Sequence, residues 1–294
     1  MRELLSFFLR SLRLKLWRYD RLREDNEMLD YLDAAVVNAL RQLAGGFGLV
    51  FFFAFLMWLV SQKRRGMGGG RFGNSYYYFV APGVMFHELG HALGCIITFT
   101  KVVEFAPFKI QGETLGYVKH VKAGRFGALR EFIIATGPVW LGCVVIFLLG
   151  LLMEGVNFLP IYSEVFPEGD PGFLSYASGL VSSALGMFAS LVMNWHWISP
   201  FYLILLYLLF CVTSEITLSS TDLAGMWRGF FVIAFFIFLI NLIPGAHLAA
   251  CWLTDVCAPG MFVVHATLLF VLLIDIAFYL LFRTILRFFF IRKH

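Results

Sequence analysis

Residues 76–99 read YYYFVAPGVMFHELGHALGCIITF, a stretch that combines apolar character with a metal-binding motif. His87 and His91 are four positions apart, so on a helix both imidazoles lie on one face, one turn apart. This spacing can hold a single Zn²⁺, with the intervening Glu88 acting as general base. Because ionisable residues at membrane depth are costly and usually functional, the apolar flanks predict a metal site inside a membrane helix.

The composition is typical of a membrane protein. Of the 294 residues, 60% are hydrophobic and 14% are charged, against about 45–50% and about 25% in soluble domains. The net charge of +4 comes from basic segments beside apolar stretches, which favours contact with anionic lipid over nucleic acid. Five cysteines, without a C-x-x-C pair, argue against a disulfide framework and against a cysteine-zinc module. We therefore expect an integral, multi-pass protein embedded in a lipid bilayer.

Apolar stretches of suitable length predict an α-helical polytopic fold with six or seven transmembrane helices. The predicted spans are residues 45–60, which can be extended to 62, and residues 76–99, 129–153, 173–193, 223–243 and 259–282. Residues 200–212 are apolar but only 13 residues long, a length that suits a re-entrant element as well as a seventh span. Residues 101–125 contain β-branched and aromatic residues interrupted by glycines, which predicts a small β segment at the membrane edge after the metal-binding helix.

The distribution of charge suggests three regions. Residues 1–43 are basic and amphipathic, which predicts an interfacial segment, with a soluble helical hairpin as the alternative. Residues 44–283 form the predicted membrane-embedded domain, and residues 284–294 form a basic tail. The acidic loop 154–172 is predicted to lie outside and the basic segment 101–130 in the cytoplasm. The predicted basic loop at residues 63–74 then falls on the wrong side, a conflict that the sequence does not resolve.

Over roughly residues 76–250 the chain resembles the site-2 protease family, intramembrane zinc metalloproteases that cut transmembrane or membrane-adjacent proteins. The most specific shared feature is His87-Glu88-x-x-His91 within a membrane helix. The β segment after that helix is also similar, and Thr136-Gly137-Pro138 resembles an Ala-Gly-Pro-like turn of the family. The chain departs from the family pattern at two positions. Leu141 replaces an expected asparagine, and Ala249 follows the family-like Asn241-Leu242-Ile243-Pro244 where the family has its third metal ligand, an aspartate.

The third metal ligand must therefore come from another residue, because a catalytic zinc takes three protein ligands and leaves one open position. Asp222 opens an apolar helix and resembles the family aspartate in placement, although Asp beside Ser and Thr is also an ordinary N-cap composition. Asp275 is an intramembrane acid that could instead bond a neighbouring helix. The remaining candidates are His247, Asp255 and Glu215. We predict that His87, His91 and Asp222 bind one Zn²⁺.

The resemblance implies an intramembrane zinc metalloendopeptidase whose substrate is a membrane protein and whose general base is Glu88. Asn241 would then either bind the substrate backbone or tie two helices together. One alternative is a membrane gluzincin of the prenyl-protein-protease type, in which Glu215 would be the third ligand. Another alternative is a non-catalytic metal-binding membrane protein. The presence of Glu88 argues against it, because metal binding alone requires no base between the histidines.

Overall fold

The structure is a computed structural model that describes residues 27–290, apart from gaps at residues 73, 111–114, 122–123, 125–126, 154–155, 159, 161, 167–171, 194–198 and 244–245. Most of the predicted N-terminal interfacial segment therefore lies outside the described residues, as do residues 291–294 of the basic tail.

Helices dominate the described chain, as the apolar stretches predict. In chain order the elements are α1 (Glu27–Leu43), a π-helical segment (Ala44–Gly48), α2 (Leu49–Phe72), α3 (Asn74–Ile97), β1 (Val102–Ala106), β2 (Tyr117–His120), α4 (Gly127–Leu152), the short α5 (Tyr162–Val165), α6 (Phe173–Met193), α7 (Pro200–Glu215), α8 (Ser220–Leu242) and α9 (Ala246–Phe290).

Six helical stretches of the described chain are long and apolar enough to cross a membrane. They are Tyr31–Met67, Asn74–Ile97, Gly127–Leu152, Phe173–Met193, Ser220–Leu242 and Cys257–Thr284. All but the first agree closely with the predicted spans, and α7 is the shorter apolar helix that the sequence left undecided. By length and composition the protein is an α-helical polytopic membrane protein, which confirms the predicted fold class.

The first span is longer than predicted, and the loop predicted at residues 63–74 is wrong. The π-helical segment joins α1 to α2 without a break, since Leu43 and Leu49 at its ends keep right-handed helical dihedrals. Helix α2 then continues to Phe72. Arg64 explains part of the error, because its side chain is 2% exposed and its Nε lies 3.0 Å from Oδ1 of Asp275. The arginine is therefore an interior ion-pair partner in a helix.

The chain divides into two compact units. One comprises Met1–Leu49 and Phe231–Met261, and the other comprises Val50–Phe230 and Phe262–His294. The second unit contains the His-Glu motif, together with Asp222, Glu215 and Asp275.

Helix α3 packs closely against α4 and also against α7 in this second unit. A Cβ atom on Gly90 would lie 2.6 Å from the Cα atom of Pro138, whereas packed carbon atoms are about 3.5–4.0 Å apart. Glycine is therefore required inside the His-Glu motif for α3 to approach α4, as small residues allow in membrane helices. Gly137 and Pro138, which resemble a turn of the family in sequence, lie within helix α4. In this structure they form the contact between α4 and α3.

The predicted β segment is an antiparallel pair of β1 and β2, in which Glu104 lies opposite Lys119. Hydrogen bonds from Lys119 and then Tyr117 hold the pKa of the exposed Glu104 carboxyl below its ordinary value. Leu115, just before β2, is buried against Tyr76 and other residues of α3. This contact positions the hairpin over the part of α3 that precedes the histidines.

Candidate metal centre

The two histidines of the motif are oriented by backbone carbonyl groups of neighbouring helices. His87 Nδ1 lies 2.8 Å from the carbonyl oxygen of Glu215, and His91 Nδ1 lies 2.8 Å from that of Ile134. A carbonyl oxygen can only accept a hydrogen bond, so each Nδ1 carries the hydrogen. Each neutral imidazole is thereby left with a lone pair on Nε2, the atom that a metal would bind.

The two Nε2 atoms lie close together. The Nε2 atoms of His87 and His91 are 3.1 Å apart, and the tautomers above leave no hydrogen on either atom to form a bond between them. Two acceptors at this distance require a positive charge between them, either a proton or a metal ion. The arrangement therefore has the orientation that a shared metal ion would demand.

Asp222 adds a carboxylate from the first turn of α8. Its Oδ1 lies 3.4 Å from His91 Nε2, and its Oδ2 lies 3.7 Å from His87 Nε2. Ligands about 2.0–2.1 Å from a tetrahedral zinc are about 3.3–3.4 Å from one another. The separations among the three side chains are close to this edge length. Among the described residues, His87, His91 and Asp222 are the group of side chains that could hold a metal ion.

Glu88 lies on α3 between the two histidines and is 8% exposed. Its carboxylate interacts electrostatically with His87, His91 and Asp222. Gly116, the residue before β2, packs beside this side chain, since a Cβ there would lie 2.8 Å from Cγ of Glu88. The hairpin therefore limits the space in which the Glu88 side chain can move.

Glu215 and Asp275, two other acidic candidates for the third ligand, belong to a separate group of charged side chains. We call Arg64, Arg65, Glu215 and Asp275 the arginine–carboxylate cluster. Glu215 Oε2 lies 2.5 Å from Arg65 Nη2, and Glu215 Oε1 lies 3.9 Å from Arg64 Nη1. Asp275 lies beside Arg64, as described above, and Arg64 also donates hydrogen bonds to the Tyr76 hydroxyl and to the Ser214 carbonyl. Both carboxylates thus pair with arginines rather than with the histidine pair.

Asn241 lies in the first unit and is fully buried. Its Nδ2 donates to the Gln42 side-chain oxygen at 2.9 Å and to the Ile237 carbonyl at 2.8 Å. These bonds favour the interpretation that the Asn241 amide nitrogen ties two helices together. The role of Asn241 in substrate binding stays a prediction. The side chains of His247 and Asp255, the remaining candidates for the third ligand, lie outside the described part of the chain.

Sequence reasoning missed the partners that orient the site. The carbonyl groups of Glu215 and Ile134 have no side-chain signature, so no pattern could have identified them. Arg64 and Arg65 had a detectable signal, because an acid such as Asp275 within an apolar span needs a cationic partner. The glycines that follow these arginines predict a loop instead.

Comparisons with protein families, with curated proteins and with solved structures gave no match.

Proposed function

We propose that this protein is an intramembrane zinc metalloendopeptidase similar to the site-2 proteases, with His87, His91 and Asp222 as metal ligands. The observation that carries the proposal is that the Nε2 atoms of His87 and His91 are 3.1 Å apart, with Asp222 Oδ1 3.4 Å from His91 Nε2. Two imidazoles and one carboxylate are a donor set that suits zinc. Three protein ligands leave a fourth coordination position for water or substrate, as catalytic sites require.

Zinc bound at these side chains would supply a water of lowered pKa and would polarise the carbonyl group of a peptide. Glu88 would take the proton from the attacking water and pass it to the leaving amine. Its place on the same helix turn as the histidines supports this role. The proposed ligand side chains are 11–14% exposed, so protein atoms do not enclose them completely.

The proposed substrate is a transmembrane or membrane-adjacent segment of another protein. A peptide bond must leave its helix before it can be attacked, because helical backbone groups are bonded to one another. The β1–β2 hairpin contacts α3, and an unwound substrate strand could add to the hairpin edge by β-augmentation.

The arrangement of Glu215 argues against the gluzincin alternative, since its carboxylate is bound to Arg65 and Arg64. A purely metal-binding protein needs the histidines and a third ligand but has no use for Glu88. We therefore prefer the peptidase, and the following experiment separates it from the non-catalytic alternative.

The test uses the full chain, loaded with zinc and reconstituted into liposomes with a panel of single-span peptides. Each peptide carries a fluorophore and a quencher, and some contain Gly-Pro in the span to weaken the helix. We expect cleavage of the weakened helices by wild type and by the exposed control Glu164→Gln, but not by Glu88→Gln. Equal cleavage by Glu88→Gln would contradict the mechanism, and a zinc-loaded wild type that cuts none of the panel would favour the non-catalytic alternative.

A further inference from the structure

Ser219 and Asp222 form a reciprocal set of hydrogen bonds at the start of α8. The backbone N–H of Ser219 donates to Asp222 Oδ2 at 2.8 Å, and the Ser219 hydroxyl donates to the same oxygen at 2.6 Å. The backbone N–H of Asp222 donates in return to Ser219 Oγ at 3.2 Å. This is a capping box in which aspartate takes the place of the usual glutamate.

Thr221 completes the network around the serine hydroxyl. Its Oγ1 lies 2.7 Å from Ser219 Oγ. The single hydroxyl hydrogen of Ser219 is already donated to Asp222, so Thr221 must be the donor in this bond. The orientation of the Ser219 hydroxyl is therefore fixed toward Asp222.

The two oxygens of Asp222 consequently have different surroundings. Oδ2 accepts two hydrogen bonds from Ser219, which occupy its two lone pairs. Oδ1, to which Ser219 donates no hydrogen bond, lies 3.4 Å from His91 Nε2, whereas Oδ2 lies farther from the histidine pair, 3.7 Å from His87 Nε2. N-capping and metal binding therefore do not compete at Asp222, because each can use a different oxygen.

We propose that Ser219 is a positioning residue that makes Asp222 a monodentate ligand through Oδ1. The inference rests on the proposed metal centre and deepens it. A carboxylate free to rotate could bind through both oxygens and fill the fourth coordination position, which a catalytic site keeps for water. Removal of a residue that hydrogen-bonds to a metal ligand typically lowers metal affinity by about 10- to 100-fold.

The hydroxyl can be removed with little disturbance of the fold. Ser219 is exposed, so its substitution leaves no buried cavity. Glycine is nearly as favourable as serine at an N-cap, and the backbone N–H remains. Threonine keeps the hydroxyl and should preserve its bond to Asp222. Ser220→Gly is the matched control, because Ser220 is the exposed neighbour of Ser219 at the start of α8.

The experiment measures two properties of the purified full-length chain. Zinc affinity is determined by competition with a chelator, and the visible spectrum of the Co²⁺-substituted protein reports the coordination number. We expect Ser219→Gly to lose about 10- to 100-fold in zinc affinity and to replace the intense bands of four-coordinate Co²⁺ by the weaker bands of a five-coordinate ion. Ser219→Thr and Ser220→Gly should resemble wild type in both measurements.

The possible failures are distinguishable. A wild-type chain that binds neither ion would overturn the metal centre and the proposed function with it. A wild type that binds zinc, beside a Ser219→Gly variant with unchanged affinity or an unchanged Co²⁺ spectrum, would overturn the role of Ser219 alone.

Discussion

His87 Nδ1 lies 2.8 Å from the backbone carbonyl oxygen of Glu215, the last residue of α7. The side chain of the same glutamate lies 2.5 Å from Arg65. One residue therefore joins the candidate metal centre to the arginine–carboxylate cluster, through its backbone on one side and its side chain on the other. In this cluster the buried acids Glu215 and Asp275 pair with arginines rather than with the two histidines.

The His-Glu motif predicts a clear division of roles. His87→Ala or His91→Ala should remove both zinc and peptidase activity, because each deletes a proposed ligand. Glu88→Gln should retain zinc and lower turnover by about 10²- to 10⁴-fold, the usual contribution of a general base. Elemental analysis and peptide cleavage on the same preparations check this. A Glu88→Gln variant without zinc would show that Glu88 is a ligand instead.

Asp222 and Asp275 should respond differently to the same change. Asp222→Asn should lower zinc affinity by more than about 100-fold. Even the removal of a residue that only hydrogen-bonds to a metal ligand lowers metal affinity by about 10- to 100-fold. Asp275→Asn should leave zinc affinity within a few fold of wild type. It should instead lower stability by up to about 3–5 kcal/mol, because Arg64 is left buried without this partner.

The measurements for this pair are chelator competition and thermal unfolding of the metal-free protein in detergent. Replacement of both charges, as Arg64→Met with Asp275→Leu, should be less destabilising than Arg64→Met alone, because no unpaired charge remains. Loss of zinc from Asp275→Asn without loss of stability would contradict this assignment.

Gly90 provides a test of the helix contact behind the motif. Gly90→Ala places a methyl group against Pro138, and we expect a loss of about 1–3 kcal/mol from overpacking together with weaker zinc binding. Gly186→Ala on α6 is the matched control, since a Cβ there meets nothing within 4 Å. Alanine in a helix is otherwise favoured over glycine by about 0.5–1 kcal/mol. Equal melting temperatures for the two variants would argue against the close contact.

Helix α7 should not cross the membrane. It has 16 residues, which correspond to about 24 Å at about 1.5 Å per residue, whereas a bilayer core is about 30 Å thick. Cysteines introduced at Ser199 and at Ser220, in a background without the native cysteines, should therefore be labelled from the same face. Labelling from opposite faces would establish seven spans.

Much of the site could be predicted from the sequence because its signals are local. The histidine spacing identified one helix face, and the serines and threonine before Asp222 marked a helix start. The same composition is typical of an N-cap, a role that a sequence pattern sets against metal binding. The capping bonds of Ser219 use only Oδ2 and leave Oδ1 near His91, so the geometry allows both roles.

The errors concern long-range contacts. Arg64 and Arg65 counted as loop charges and created a conflict in the predicted orientation. Since Arg64 and Arg65 pair with Asp275 and Glu215, they are not the free loop charges to which the positive-inside rule applies. The pairing joins residues about 150 or more positions apart, which no local pattern encodes.

Zinc K-edge X-ray absorption of the purified wild-type chain tests the central claim most directly. The account predicts one zinc per chain, bound by two imidazole nitrogens and two oxygens at about 2.0–2.2 Å, with one of these oxygens lost or replaced in Asp222→Asn. A protein that retains no zinc, or a zinc whose ligands are unchanged by Asp222→Asn, would contradict it.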